Sequence, residues 1–271
     1  MLPAYAELHC RSNFSFLTGA SHPEELVQRA HALGYAALAI TDECSLAGVV
    51  RAHAEAKRVG LHLIVGTEMR VTAHERAAAD ASDMRLVLLA QTRRGYGHLV
   101  QWVTLARRRA AKGRYQALRS DVEGRAPAAP MLAGLPDCLA LLVPDAAQPF
   151  ETVFAHAMWL KTWFGAGSEG RAALALPLLL HARDDWLADT VQRVAALTGL
   201  PVVATGDVLM HARSRKPLQD VLAATRLKRP LAQCGFALTP NAEQHLRPRH
   251  RLAALYAPEW LAATVALAAR C

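Results

Sequence analysis

Short apolar runs that end on polar residues recur along this chain, and each leads into a stretch of helical spacing. Ala4 to Leu8 is the first such run, and it delivers His9 into a polar loop. A helix start follows, with Ser21 or His22 as cap, Pro23 at the first position and Glu24 and Glu25 where carboxylates suit the helix dipole. Leu26, Ala30 and Leu33 keep the helical period, and Gly34 ends it. Ala36 to Ile40 reads as a buried strand ending on Thr41-Asp42-Glu43, and Leu46 to Gly60 as the next helix. His62 to Val65 is then a strand ending on Gly66-Thr67-Glu68.

Further strands are predicted at Arg85–Ala90, Cys138–Val143, Ala172–Leu180 with a break at Pro177, and Pro201–Thr205, the last ending on Gly206-Asp207. Helices are predicted at Gly95–Lys112, Pro149–Phe164 and Asp184–Gly199, with loops at 72–83, 113–136 and 165–170. Buried strands that alternate with helices indicate α/β architecture with a parallel sheet or a (β/α) barrel. Seven strand candidates suit one barrel over residues 1–212. A helical extension fills 213–271, interrupted at Pro230 to Pro240 and at Pro258.

The 271 residues are enough to bury a substantial core, and no uninterrupted apolar run is long enough for a transmembrane span. Five scattered cysteines without a CxxC pair point to reduced thiols, hence to a cytoplasmic protein with no membrane partner. The net charge is +8 and unevenly placed. Gln91 to Arg119 contains no acidic residue but holds Arg107, Arg108, Arg109, Lys112 and Arg114, candidates for contact with DNA. A second basic region runs from Arg213 to Arg251.

In a barrel of this kind functional residues sit where strands end. Those positions hold His9, Asp42 with Glu43, Glu68 and Asp207, a set able to bind a divalent metal and activate water. Other positions oppose that reading. Arg11 stands where a second ligand belongs, Arg85 opens its strand, and Leu209 lies two residues past Asp207. A guanidinium supplies the charge a metal would supply and cannot ligate, so a salt-bridged pocket without metal is the competing expectation. No GxSxG, GxGxxG or Walker A pattern occurs, and Cys44 beside carboxylates is a poor nucleophile.

The run from LHCRSNFSFLTGASHPEEL to HLIVGTE resembles the polymerase-and-histidinol-phosphatase (PHP) domain that opens bacterial C-family DNA polymerases. TDECSLAG, GYGHL with the arginines at 107–109, and GDVLMHARSRKPLQDVLAATRL are similar to the error-prone branch of that family. The resemblance implies a distorted seven-stranded (β/α) barrel of PHP type whose strand ends hold up to three metals in intact members. Those members act as phosphoesterases or as 3′–5′ exonucleases.

Carried over by position, the family's HxH keeps His9 but has Arg11, the aspartate of its LDGA turn is Thr18, and the histidine of TDH is Glu43. The ligand glutamate remains as Glu68, Arg85 replaces a histidine, and the closing DxH keeps Asp207 but has Leu209. The implied function is the N-terminal domain of an error-prone translesion polymerase acting in damage-induced synthesis. The domain itself is expected to be inactive, with no metal or other cofactor, since Mg²⁺ would serve a polymerase core lying beyond this chain. Expected partners are the remaining polymerase chain, DNA, a sliding clamp and an accessory translesion protein. The alternative is a metal-dependent phosphoesterase or proofreading exonuclease with a reduced site. At least one of Arg11 and Arg85 is expected to pair with a carboxylate.

Overall fold

The computed structural model describes residues 2–74, 83–165 and 170–271. Parts of two predicted loops, 75–82 and 166–169, lie outside the described residues. Seven strands form the barrel wall: β1 (Ala6–Cys10), β2 (Ala37–Ile40), β3 (His62–Thr72), β4 (Met84–Ala90), β6 (Cys138–Leu142), β7 (Ala172–Pro177) and β8 (Val202–Thr205). They pair in that order, and a two-residue β5 (Ala117–Leu118) lies beside β3. Around them run α1 (Pro23–Ala32), α2 (Val49–Val59), α3 (Arg93–Arg108), a single turn α4 (Arg119–Val122), α5 (Phe150–Phe164) and α6 (Asp184–Thr198). The chain continues into α7 (Lys216–Leu227), α8 (Arg249–Leu255) and α9 (Pro258–Ala268).

The local signals act where the sequence places them. Glu25 accepts the His22 backbone N–H at 2.9 Å, closing the start of α1. Gly60 and Gly199 end α2 and α6 in the left-handed conformation.

One expectation needs correction. The wall is not uniformly parallel, because β4 runs antiparallel to both β3 and β6. The cause lies in chain length. β3 continues to Thr72, seven residues past the predicted end at Val65, so only residues 73–83 remain to reach β4. A parallel crossover needs a dozen or more residues, whereas an antiparallel return needs few. The reversal brings the start of β4 to the barrel end where the other strands finish.

The wall is nearly closed. Beyond β8, Val208 donates its N–H to the His9 carbonyl at 3.0 Å and accepts from the Arg11 N–H at 2.9 Å. The buried Glu7 carboxylate strengthens this seam, accepting the Gly206 N–H at 3.0 Å, the His9 N–H at 3.0 Å and the Tyr5 hydroxyl at 2.8 Å. A Cβ at Gly206 would stand 2.7 Å from Glu7 Oε2, so the seam requires glycine there. At the opposite end α9 forms a floor. Leu267 and Ala268 join Ala6, Ile64 and Leu139 in the barrel interior, and Thr264 accepts the Ala6 N–H at 3.1 Å.

Candidate functional site

A β-bulge aims the first two site residues. Glu7 faces Leu38 on β2 but Cys10 faces Ile40, so β1 carries one residue more than its partner. Leu8 still belongs to the interior while Cys10 packs outside, and the two interior-facing positions that follow the bulge are His9 and Arg11. On β3, Ile64 is interior and two-residue steps through Gly66 reach Glu68. On β4, Val87 and Leu89 are interior, and the same step reaches Arg85, a diagonal neighbour of Glu68 because Glu68 pairs with Val87. Asp207 follows Val203 and Thr205 by the same alternation past the end of β8, its backbone held at φ 42°.

These five side chains meet. His9 Nε2 lies 2.6 Å from Glu68 Oε2 and 3.4 Å from Asp207 Oδ1. Arg11 donates to Asp207 Oδ1 at 2.6 Å and to Glu68 Oε1 at 3.4 Å. Arg85 donates through one Nη2 to Glu68 Oε2 at 3.0 Å and to Asp207 Oδ1 at 3.1 Å. Each arginine thus spans both carboxylates. His9 and Glu68 are fully buried, Arg11 and Asp207 nearly so, and Arg85 is partly buried.

The electrostatics follow from this packing. Burial pushes the Glu68 carboxyl up, but Arg11, Arg85 and His9 together hold it well below the usual carboxylate range. Asp207 behaves likewise: burial opposes ionisation and Arg85, Arg11 and His9 overcome it. Both carboxyls are therefore anions, and Glu68 acts only as an acceptor. The proton between His9 and Glu68 sits on His9 Nε2, which leaves that nitrogen no lone pair for another bond.

His9, Glu68 and Asp207 offer ligand atoms within 4.8 Å of one another, as a metal triad would. Yet the oxygens that a cation would take are those already accepting from guanidinium and imidazole N–H groups. Two negative charges are balanced by two positive ones. A divalent ion at this point would stand beside two guanidiniums of its own sign and an imidazole N–H.

The remaining sequence-predicted residues are placed around this cluster or away from it. Glu43 sits on its flank: its backbone forms an isolated bridge with Glu68 while its carboxylate accepts the Tyr115 hydroxyl at 2.8 Å. Thr18 lies on the outer loop, where it accepts from Arg226 at 3.0 Å. Leu209 turns into a small apolar cluster with Ala20 and Met210. Arg107 donates to the carbonyls of Cys44 at 3.1 Å and Glu43 at 3.4 Å, and Arg109 grips Asp121 through two bonds of 2.6 and 2.7 Å. Arg108, Lys112 and Arg114 are exposed. His211 bonds Ser21 at 2.8 Å, away from Asp207.

Asp42, expected among the metal-binding set, is engaged by the loop after β1 instead. It accepts Ser12 N–H and Oγ, each at 2.7 Å, and Ser15 Oγ at 2.8 Å. Its burial raises the carboxyl despite those bonds. Glu7 and Tyr115 were not singled out. A lone carboxylate inside an apolar strand was the available signal for Glu7, whereas Tyr115 lay in a stretch without periodicity.

Comparison with known proteins bears on the family and the fold. Residues 7–167 match the family model described as PHP domain. The chain is 54% identical over 271 residues to an error-prone DNA polymerase of Bordetella parapertussis, covering all of this chain and 25% of that protein. It is 52% identical over 270 residues to an error-prone DNA polymerase of Dechloromonas aromatica, again covering all of this chain and 24% of the relative. The chain therefore spans about a quarter of the length of the curated relatives it matches.

Among solved structures, a putative metal-dependent phosphoesterase from Bifidobacterium adolescentis has a TM-score of 0.50. An amidohydrolase from Chromobacterium violaceum, with bound sulfate and no metal, has 0.53. Each is 16% identical, with 76% of this chain and 88% of the other covered, so they bear on the fold alone. The matched segment, which runs from within β1 to the end of α5 and covers more than half of the chain, establishes that this chain belongs to the PHP domain family.

Proposed function

We propose that this chain is the N-terminal PHP domain of an error-prone translesion DNA polymerase, and that its barrel site has become structural. The single observation carrying the second part is the double bridge: Arg11 and Arg85 each bond both Glu68 and Asp207. A buried carboxylate pair needs compensation, and here fixed guanidiniums supply it in place of a divalent ion. The residues as arranged do not fit a resident metal, so no hydrolytic step is assigned to them.

The domain's contribution is then to hold a rigid surface for the rest of the polymerase during damage-induced synthesis. The remaining chain, DNA, a sliding clamp and an accessory translesion protein are its partners under this reading, and Mg²⁺ belongs to the polymerase core. Arg108, Lys112 and Arg114 are the exposed members of the α3 basic segment that suit DNA. Arg107 and Arg109 brace the barrel instead.

The test is elemental analysis of the purified protein together with an exonuclease assay in manganese. No stoichiometric metal and no hydrolysis are expected. Bound metal, with hydrolysis that disappears in His9→Ala or Asp207→Asn, would overturn the proposal in favour of a phosphoesterase or proofreading exonuclease built on the His9, Glu68 and Asp207 triad. The variant Arg11→His/Arg85→His/Leu209→His restores three of the five replaced ligand types and is expected to gain metal.

A further inference from the structure

A second cluster of charge lies outside the barrel mouth, where the last turns of α1 meet the segment after β8 and the start of α8. Arg29, Arg213, His245, Pro248, His250 and Arg251 line a cavity of about 340 Å³. Glu243, fully buried, is the carboxylate beside it, and it is already engaged. Arg251 Nη2 donates to both of its oxygens at 3.0 Å, and Arg213 Nη1 lies 3.7 Å from one of them. Arg251 and Arg213 thus share one carboxylate and, among the described residues, Arg29 stands without one, so three guanidiniums and one carboxylate leave an excess of two positive charges around a concave space.

Two details show unused binding capacity. Among the described residues, Arg29 Nε and Arg251 Nε are buried and have no hydrogen-bond partner. Arg29 has no carboxylate in ion-pair contact there. A buried charged donor without an acceptor is unfavourable, so the site favours a ligand that supplies oxygens. His245 adds no charge. Burial holds its pKa down to about 4, and its Nδ1–H donates to the Ala242 carbonyl at 2.7 Å. What remains is an anion site read by forked donors.

The geometry points to a phosphate-binding pocket formed by Arg29, Arg213 and Arg251, with His250 at its rim. Guanidinium forks match phosphate oxygens, and an excess of two charges suits a phosphate dianion or two backbone phosphodiesters. Arg107 and Arg109 have their donors committed to carbonyls and to Asp121, so the arginine run that dominates the sequence is the poorer phosphate site. This pocket does not depend on whether the barrel binds metal.

The phosphate can belong to a nucleic-acid backbone or to a free phosphate compound, and two probes separate these sources. Binding of a fluorescein-labelled oligonucleotide is followed by anisotropy across a salt series, and tripolyphosphate is then added as competitor. The expected result is micromolar or weaker binding that Arg29→Gln weakens about tenfold and whose log–log salt slope falls by about one. Arg29→Lys should retain most of the affinity.

Displacement by tripolyphosphate would show that the pocket takes phosphate from either source. Arginine-sensitive DNA binding without displacement would assign it to the backbone alone. Arg213→Gln, on a largely exposed side chain, repeats the test should Arg29→Gln disturb the fold. Affinity unchanged in both glutamine variants, or binding of neither probe, would overturn the proposal.

Discussion

Two pairs of buried carboxylates lie within a few residues of each other in this barrel, and they are kept in opposite ways. Glu68 and Asp207 face guanidiniums, and their pKa values are lowered. Asp42 and Glu7 face only neutral donors, hydroxyls and backbone N–H groups, and burial raises theirs. Asp42 accepts three hydrogen bonds and still does not escape the cost of burial. The difference teaches that at this depth neutral hydrogen bonds orient a carboxylate without offsetting its burial, while a full opposite charge brings its pKa below the ordinary range. The first pair has the electrostatics of an occupied metal site, with arginine as the occupant. The second has the character of a structural clasp.

Removing the compensating charge should produce the largest effect. Arg11→Met leaves Asp207 and Glu68 sharing one guanidinium and is expected to destabilise the fold by ~3–5 kcal/mol, read as a shift in the urea midpoint. A change below about 1 kcal/mol would mean that the carboxylates ionise without it.

The pH dependence sharpens the contrast next. Glu68 and Asp207 have folded pKa values below their unfolded ones, so their stabilisation is present above the ordinary carboxylate range and is lost as pH falls through the folded values. Glu7 and Asp42 have raised values. Their contribution is complete below the ordinary range and is lost as pH rises through the folded pKa. Urea unfolding from pH 7 down to pH 2 should therefore show Glu68→Gln losing about 2–3 kcal/mol throughout the range above the ordinary carboxylate pKa, and progressively less as pH falls below it. Asp42→Asn should lose less at pH 7 than at pH 4. Identical profiles for the two variants would erase the distinction.

The smallest effect is expected at the seam. Tyr5→Phe removes one of the donors to Glu7 and should cost about 1 kcal/mol in thermal or urea unfolding.

Much of this was legible in the residues. The helix starts and stops at Pro23, Gly60 and Gly199, the apolar runs of the wall strands and the residues His9, Glu68 and Asp207 all announce themselves locally. Arg11, Arg85 and Leu209 could be named as departures from a family pattern. What could not be read was how far β3 continues, since Glu68 to Thr72 lacks the unbroken apolar run of a buried strand. Nor could Tyr115 be placed, because its stretch has no period and is held by long-range bonds such as Arg109 with Asp121.

The sequence by itself determined the alternation of elements, the type of barrel and the loss of ligand types at the mouth, because hydrophobic period and residue chemistry are local properties. Tertiary structure alone decided that Arg85 reaches the mouth at all. That required the reversal of β4, set by eleven connecting residues, and it meets there His9 and Arg11, which the extra residue in β1 turns inward after Leu8. Strand direction and bulges belong to pairs of strands. They become fixed only when distant segments meet and their hydrogen bonds must be shared.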